Sequence, residues 1–399
     1  MADNNNLNQR IILVDALRGF ALLGIMLLHA LEHFDFFWQA DKNPEIFGSV
    51  DPFIFPVIHF LFSGKAYAIF SLMFGFSFFI QMDRNASKGI NFTWKFLWRL
   101  TVLFIFGYLH SLWYSGDILT MYAFSGMFLI FFYRVNPKIL VVLSVLLILQ
   151  IPTIYNIIQA FKDPAFELSR NFGRGLWQES FNNLANGSLS DVVKFNAWKG
   201  HIACISWTYY NGRYLQMFGL FLLGLTLGKK RVFENIEKYK KSISIILIVS
   251  VVLFILFFIL SLKLSSFDLT RIQRRQCQTL ITSYANVSFM SFYVTLFMTL
   301  FIYFKNLRMF PVLANYGRMS LSSYIMQPLV GAPFFYGWGL AMYHYFGPTM
   351  SLFYGITFLI FQLWFCKFWM KKFYYGPLEW LWRAFTFINF NIKFKRKFE

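Results

Sequence analysis

Arg18 and His29 lie eleven residues apart on one apolar stretch, RIILVDALRGFALLGIMLLHALEHF. At about 100° per residue, eleven residues return to nearly the same helix face, with a rise of roughly 16 Å. One face would then carry a guanidinium near one end and an imidazole near the other. An Arg fork suits phosphate, because it can donate to two oxygens at once. An imidazole suits a general base, because its ordinary pKa lies close to working pH. Asp15, three residues before Arg18, is placed to pair with it. The reach between the two groups is similar to that of an extended phosphopantetheine, so an acyl-CoA could lay its phosphates at Arg18 and its thioester at His29. The plainer alternative for the same residues is a structural ion pair and a hydrogen-bonded interfacial histidine.

Other ionisable residues also fall within apolar runs, where each costs several kcal/mol unless paired or wetted. Lys65, in HFLFSGKAYAIFSLMFGFSFF, either snorkels to the surface or meets a charged acyl or acceptor group. His110 and Asp117 flank Gly116 in GYLHSLWYSGDIL, and a contact between them would orient the imidazole and raise its basicity. The alternative for Asp117 is a helix cap. Arg213, Arg318 and Gln327 are polar groups near span ends, and Arg318 also suits a local pair or lipid headgroups. With Lys65 and His59 they form the candidate substrate-binding set. All six histidines, His29, His33, His59, His110, His201 and His344, are expected toward one face, where several could surround one cavity. Gly19 and Gly24 favour close helix packing.

Several chemistries are excluded by motif. There is no HExxH or clustered His/Asp set, so no metal is expected, and no P-loop, GxGxxG at a helix start, or GxSxG. Cys204, Cys277 and Cys366 are far apart, without CxxC spacing. Cys204 and Cys277 are expected near the same face, where a single bridge is open to them.

The elements that must position these residues follow from composition. Of 399 residues, 57% are hydrophobic, 22% aromatic and 14% charged, against about 25% charged in a soluble domain. Mean hydropathy is +0.51. The net charge of +19 resides largely in short connections between apolar runs, which reads as membrane topology rather than nucleic-acid binding. A span needs about 20 apolar residues to cross roughly 30 Å of hydrocarbon. Ten such stretches are expected, near 11–31, 57–83, 95–115, 117–135, 138–161, 203–228, 242–262, 278–304, 317–338 and 349–371. In lipid they must be helices. The first is not expected to be a cleavable signal, since it contains Asp15 and Arg18.

Basic clusters alternate along the chain: Arg84, Lys88 and Lys95; Arg134 and Lys138; Lys229 to Lys241; Lys305 and Arg308; and the tail with Lys371, Lys372, Lys393, Lys395, Arg396 and Lys397. These mark cytoplasmic connections and place both termini inside. Arg271, Arg274 and Arg275 dissent, unless a helix end is misplaced. The fold class is all-α, a polytopic integral membrane bundle of about ten transmembrane helices. It forms one domain over 1–399, with the candidate catalytic helix in an N-terminal half, 1–228. No internal repeat supports an inverted-repeat transporter.

The chain resembles the bacterial YeiB-like membrane proteins, which end in a domain of unknown function. The resemblance runs through RIILVDALRGFALLGIMLLH, FSGKAYAIFSLMFGFSF, GYLHSLWYSGDILTMYAFSG and MFGLFLLGLTLGK. It is most specific in YGRMSLSSYIMQP and YYGPLEWLWRAFTF, within a C-terminal YeiB-like region over 242–390. The wider group is similar to transmembrane acyltransferases, the acyltransferase-3 proteins and heparan-α-glucosaminide N-acetyltransferase. Acyltransferase-3 members carry Arg, ten residues, then His on the first helix, and Arg18 and His29 match that spacing. Many YeiB-like relatives have Asn at the position of His29. The resemblance implies a ten-helix core in the bacterial cytoplasmic membrane and acyl-CoA, with acetyl-CoA the expected donor, entering from the cytoplasm. The acceptor would be a hydroxyl or amine of a glycan, lipid or small molecule on the far side. Arg18, with Asp15, would hold the phosphates and His29 would deprotonate the acceptor. Lys65, His110 and Asp117 would shape the outer site. The second reading is a transporter or flippase of a lipid-linked or amphipathic solute. A homo-oligomer is left open.

Overall fold

The computed structural model describes residues 11–37, 40–163, 166–168 and 172–396. From the N-terminus run α1 (Ile12–Leu31), α2 (Asp51–Phe62), α3 (Ala66–Ala86), α4 (Thr93–Ser111) and α5 (Leu119–Met127), which tightens into a 3-10 turn over Phe128–Phe132. Next come α6 (Pro137–Ile148), α7 (Ile151–Lys162), α8 (Leu176–Asn186), α9 (Leu189–Phe195), α10 (His201–Tyr210) and α11 (Arg213–Lys229). The C-terminal part holds α12 (Lys240–Lys263), α13 (Arg271–Tyr303), α14 (Met309–Arg318), α15 (Ser320–Phe335), α16 (Pro348–Lys372) and α17 (Pro377–Phe387). The described residues form no strand, only an isolated bridge between Phe373 and Lys395.

Among the described residues, six helical stretches are long and apolar enough to cross a membrane: α1, α2–α3, α6–α7, α12 with its flanking turns, α13 and α16. The chain is therefore a helical membrane protein. Several of the ten expected stretches are interrupted. The backbone breaks at Ser63–Lys65, at Leu149–Gln150, at Asn211–Gly212 and at Met319. Gly64 and Gly212 take left-handed φ of 74° and 64°, which glycine adopts without steric cost. Gln150 does so at 54°, and its side chain donates to Ser283 Oγ at 2.5 Å. Gln216 donates to the same Oγ at 2.8 Å. That polar seam serves two breaks at once. Irregular backbone at membrane depth persists only where protein or a wet cavity satisfies it. The breaks at 63–65, 211–212 and 319 border the cavities described below.

Helix α13 begins at Arg271, seven residues before the expected start. Thr270 and Gln273 form its capping box, and Arg274 donates to the carbonyls of Ser265 and Phe267. The dissenting arginines thus belong to the first turns of a helix rather than to a loop.

Helix α1 is the axis of the bundle. Its apolar window is 67% buried, whereas that of the α12 stretch is 11% buried. Backbone meets backbone where α1 crosses α14: a Cβ on Gly19 would strike the carbonyl of Leu313, and one on Gly317 that of Asp15. Gly24 instead makes room for the Phe62 ring. Both glycines on α1 do the packing work expected of them. Helix α17 folds back against α4 and α15. Trp382 donates to the carbonyl of Arg99 at 2.8 Å, and Trp98 to that of Phe385 at 3.0 Å.

Candidate functional site

The first turns of α1 present Asp15 and Arg18 together. Arg18 Nη1 donates to Asp15 Oδ1 at 2.9 Å, and Nη2 reaches Ser77 Oγ on α3. Arg18 lines a cavity of about 310 Å3 with Arg99, Arg318, Arg383, Gln81 and Glu379. The Arg99 guanidinium stacks 3.5 Å from the Trp382 ring centroid. Glu379 caps the start of α15, accepting from the N–H groups of Leu321 and Ser322 at 2.7 and 3.0 Å and from Ser322 Oγ at 2.5 Å. A carboxylate there offsets the positive end of the helix dipole. Burial raises the pKa of Glu379, and the Ser322 hydroxyl pulls it back down.

The other end of α1 presents His29 to a second cavity, of about 420 Å3, lined also by Glu32, Asp35, Tyr67, Tyr114 and Arg213. Tyr114 Oη lies 3.1 Å from His29 Nδ1, and Glu32 Oε2 lies 3.6 Å from the same nitrogen. The hydroxyl of Tyr114 also bonds Asp35. Arg213 stacks between Trp207 and Tyr67, at 4.1 and 4.9 Å from their centroids.

Beyond α1, His33, Phe34 and Asp35 have φ of 45°, 60° and 67°. Three successive non-glycine residues in the left-handed region cost of order 1–3 kcal/mol each. The surroundings hold them there. His33 Nε2 lies 3.0 Å from the carbonyl of Phe346 and 2.9 Å from Ser351 Oγ, and the Tyr336 hydroxyl donates to the carbonyl of Phe34 at 2.6 Å. The result is a chain that doubles back so that Asp35 returns to His29. Burial pushes the Asp35 carboxyl up to about 6, against the opposing charge of His29. Burial also lowers His33 to about 4.

One ligand atom from each of His29, Glu32 and Asp35 lies within 4.8 Å of the others, a donor set able to hold a divalent cation. No set motif spacing marks this cluster in the sequence. The His29–Glu32 pair was legible as an i, i+3 neighbour, but the return of Asp35 was not.

Ile25, Ile118 and Tyr122 line both cavities. They form a thin apolar septum between the guanidinium end and the imidazole end. Tyr122 Oη is fixed 2.7 Å from Ser71 Oγ and 2.9 Å from the carbonyl of Tyr67.

The remaining residues singled out by sequence divide. Arg318 lines the first cavity and Arg213 the second. His110 Nδ1 lies 2.8 Å from Asp117 Oδ1, while Asp117 Oδ2 accepts from the N–H of Thr120 at 3.0 Å, so contact and cap coexist. This pair lines neither cavity; its imidazole lies against Tyr114 and Tyr324. Lys65 turns away, its Nζ 5.7 and 5.6 Å from the rings of Phe60 and Phe289. His59 stacks on Phe55. Gln327 is buried and donates to Tyr316 Oη at 3.2 Å. None of these three lines either cavity. The histidines do not encircle one space: His33 is bonded as above, His344 pairs with Asp41, and His201 stacks on Tyr108. The three cysteines are free thiols, so the bridge left open between Cys204 and Cys277 is not made. Lys397 lies outside the described residues.

These features define a helical membrane protein with two cavities, each holding a few charged side chains among apolar ones, strung along one buried helix. Residues 227–389 match the family model described as "Protein of unknown function (DUF418)". The chain is 28% identical to "Uncharacterized protein YxaH" of Bacillus subtilis (strain 168), over 96% of each chain. It is 27% identical to "Uncharacterized 39.9 kDa protein in amylase 3'region" of Bacillus acidopullulyticus, over 96% of this chain and 95% of that one. It is 25% identical to "Uncharacterized protein YeiB" of Escherichia coli (strain K12), over 95% of this chain and 96% of that one. No solved structure matches it significantly. Together these similarities support a YeiB-like family.

Proposed function

We propose that the chain is a transmembrane acyltransferase of about ten spans in the bacterial cytoplasmic membrane, with both termini cytoplasmic. The observation that carries this reading is the placement of Arg18 and His29 in two cavities that abut at Ile25, Ile118 and Tyr122. One helix thus offers a cation for a donor's phosphates and an imidazole for an acceptor, separated only by a septum. The Arg18 end is the cytoplasmic one on this reading. Arg231, in the basic connection after α11, pairs with Asp83 near the end of α3 at 2.9 Å, and α3 also supplies Ser77 and Gln81 to the Arg18 cavity.

Acyl-CoA, with acetyl-CoA the simplest donor, enters with its phosphates at Arg18 and its thioester at the septum. His29 takes the proton from an acceptor hydroxyl or amine. The acceptor atom attacks the thioester carbonyl carbon, the carbon–sulfur bond breaks, and the departing thiolate takes up the proton that His29 accepted, which restores the neutral imidazole. Tyr114 holds the imidazole, and Glu32 supports the positive charge it gains. His110 and Asp117 act behind Tyr114 as positioning residues.

The test is transfer of radiolabel from acyl-CoA to an acceptor extract by the protein in proteoliposomes. Arg18→Ala and His29→Ala are each expected to lower turnover by at least about 100-fold. Wild-type rates in both variants would overturn the reading. The broken helices beside both cavities favour one alternative, a transporter or flippase, because discontinuous helices line many substrate paths. Cysteines introduced around His29 and Arg18 distinguish the two. Labelling of one position from both membrane sides indicates alternating access, and strictly one-sided labelling indicates the enzyme.

A further inference from the structure

Four arginines line the Arg18 cavity, and one of them, Arg99, is there with its Nε buried and a second guanidinium, Arg383, beside it. The ion pairs among the described residues include neither. The buried Nε of Arg99 has no hydrogen-bond partner among those residues. Arg383 sits close enough to Arg99 for the two like charges to act on each other. Their contacts are aromatic: Arg99 lies on Trp382 at 3.5 Å, and Arg383 over Tyr375 at 5.2 Å. A ring face returns less than the hydration a buried guanidinium gives up. The Glu379 carboxylate in the same cavity is committed to the start of α15 through Leu321 and Ser322. Two aromatic-backed guanidiniums lining one open space match what a phosphate group asks of its partners.

We propose that Arg99 of α4 and Arg383 of α17 form a phosphate-binding site, with α17 as its closing wall. A guanidinium fork donates in a plane to two phosphate oxygens, and two forks suit a phosphate diester or a diphosphate. This deepens the acyl-transfer reading, because it adds two arginines, from opposite halves of the chain, to the place assigned to the donor's phosphates. The same chemistry has two sources, the diphosphate of a soluble thioester donor and the phosphodiester of an anionic lipid headgroup.

The experiment uses the full chain in phosphatidylcholine nanodiscs, titrated calorimetrically with inorganic pyrophosphate and with CoA. Parallel nanodiscs containing phosphatidylglycerol are read by native mass spectrometry for retained lipid. Arg99→Gln and Arg383→Gln are each expected to weaken the bound phosphate species by about tenfold or more. Binding of pyrophosphate and CoA assigns the soluble source; retention of phosphatidylglycerol alone assigns the lipid. A second measurement needs no variant: in the wild-type protein the bound ligand should shield Arg383 from phenylglyoxal, as read by peptide mass. The proposal is overturned if no phosphate species binds. It is equally overturned if folded variants bind as the wild type does, or if Arg383 reacts equally with and without ligand. Phosphate binding without acyl transfer would keep the site and remove the enzyme, whereas acyl transfer indifferent to both substitutions would do the reverse.

Discussion

Tyr114 is the residue on which the His29 cavity turns. Its hydroxyl meets His29 at 3.1 Å and also bonds Asp35, so one side chain fixes both. Tyr114→Phe keeps the ring and removes that tie. With a net hydrogen bond near 1 kcal/mol, acyl transfer is expected to fall about five- to tenfold while thermal unfolding barely moves, which paired rate and melting measurements will check. Asp35 carries a pH signature. Its carboxyl is raised from 3.8 to about 6 by burial. An acid raised in this way costs the fold nothing below pH 3.8, progressively more between 3.8 and 6, and its full penalty above 6. That penalty is on the order of 3 kcal/mol at most. Asp35→Asn should therefore raise the melting temperature more at pH 8 than at pH 5. An equal effect at both would mean that the carboxylate is not held against its charge.

At the scale of elements, the crossing of α1 over α14 sets where Arg18 and His29 can point. Gly317→Ala would push a methyl group into the carbonyl of Asp15, the residue that bonds Arg18 through its side chain. Overpacking of this kind costs about 1–3 kcal/mol, so a fall in melting temperature and in CoA affinity is expected together. Helix α1 itself was legible: a 20-residue apolar run with charges three and eleven apart on one face admits few alternatives. The helix breaks were not. FLFSGKAYAIF reads as continuous on hydropathy, and glycine inside a span is as often a packing residue as a break. The start of α13 was also hidden, because three arginines look like a loop until Thr270 and Gln273 are seen to cap a helix ahead of them.

The whole molecule joins its two halves at the cavities. Arg18 and Arg99 come from the first half of the chain; Arg318, Glu379 and Arg383 lie inside the segment matched by the DUF418 model. Arg18 and Arg318 stood out in the sequence and Arg99 and Arg383 did not, because topology alone accounts for basic residues near helix ends whatever they face. His29 and Arg213 line the other cavity; Glu32 is an i, i+3 neighbour of His29, but the return of Asp35 was hidden, because non-glycine chain is rarely expected to turn left-handed three times running. Lys65, an intramembrane cation, lies against aromatic rings and lines neither cavity.

The position of α17 also has a consequence for how the protein is made. The ribosome delivers α17, Pro377–Phe387, after every other element that lines the Arg18 cavity. A nascent chain can therefore thread its spans into lipid with the basic chamber still gaping. A polypeptide released upstream of Pro377 lacks that wall and Arg383 with it, and is expected to insert yet fail to bind pyrophosphate.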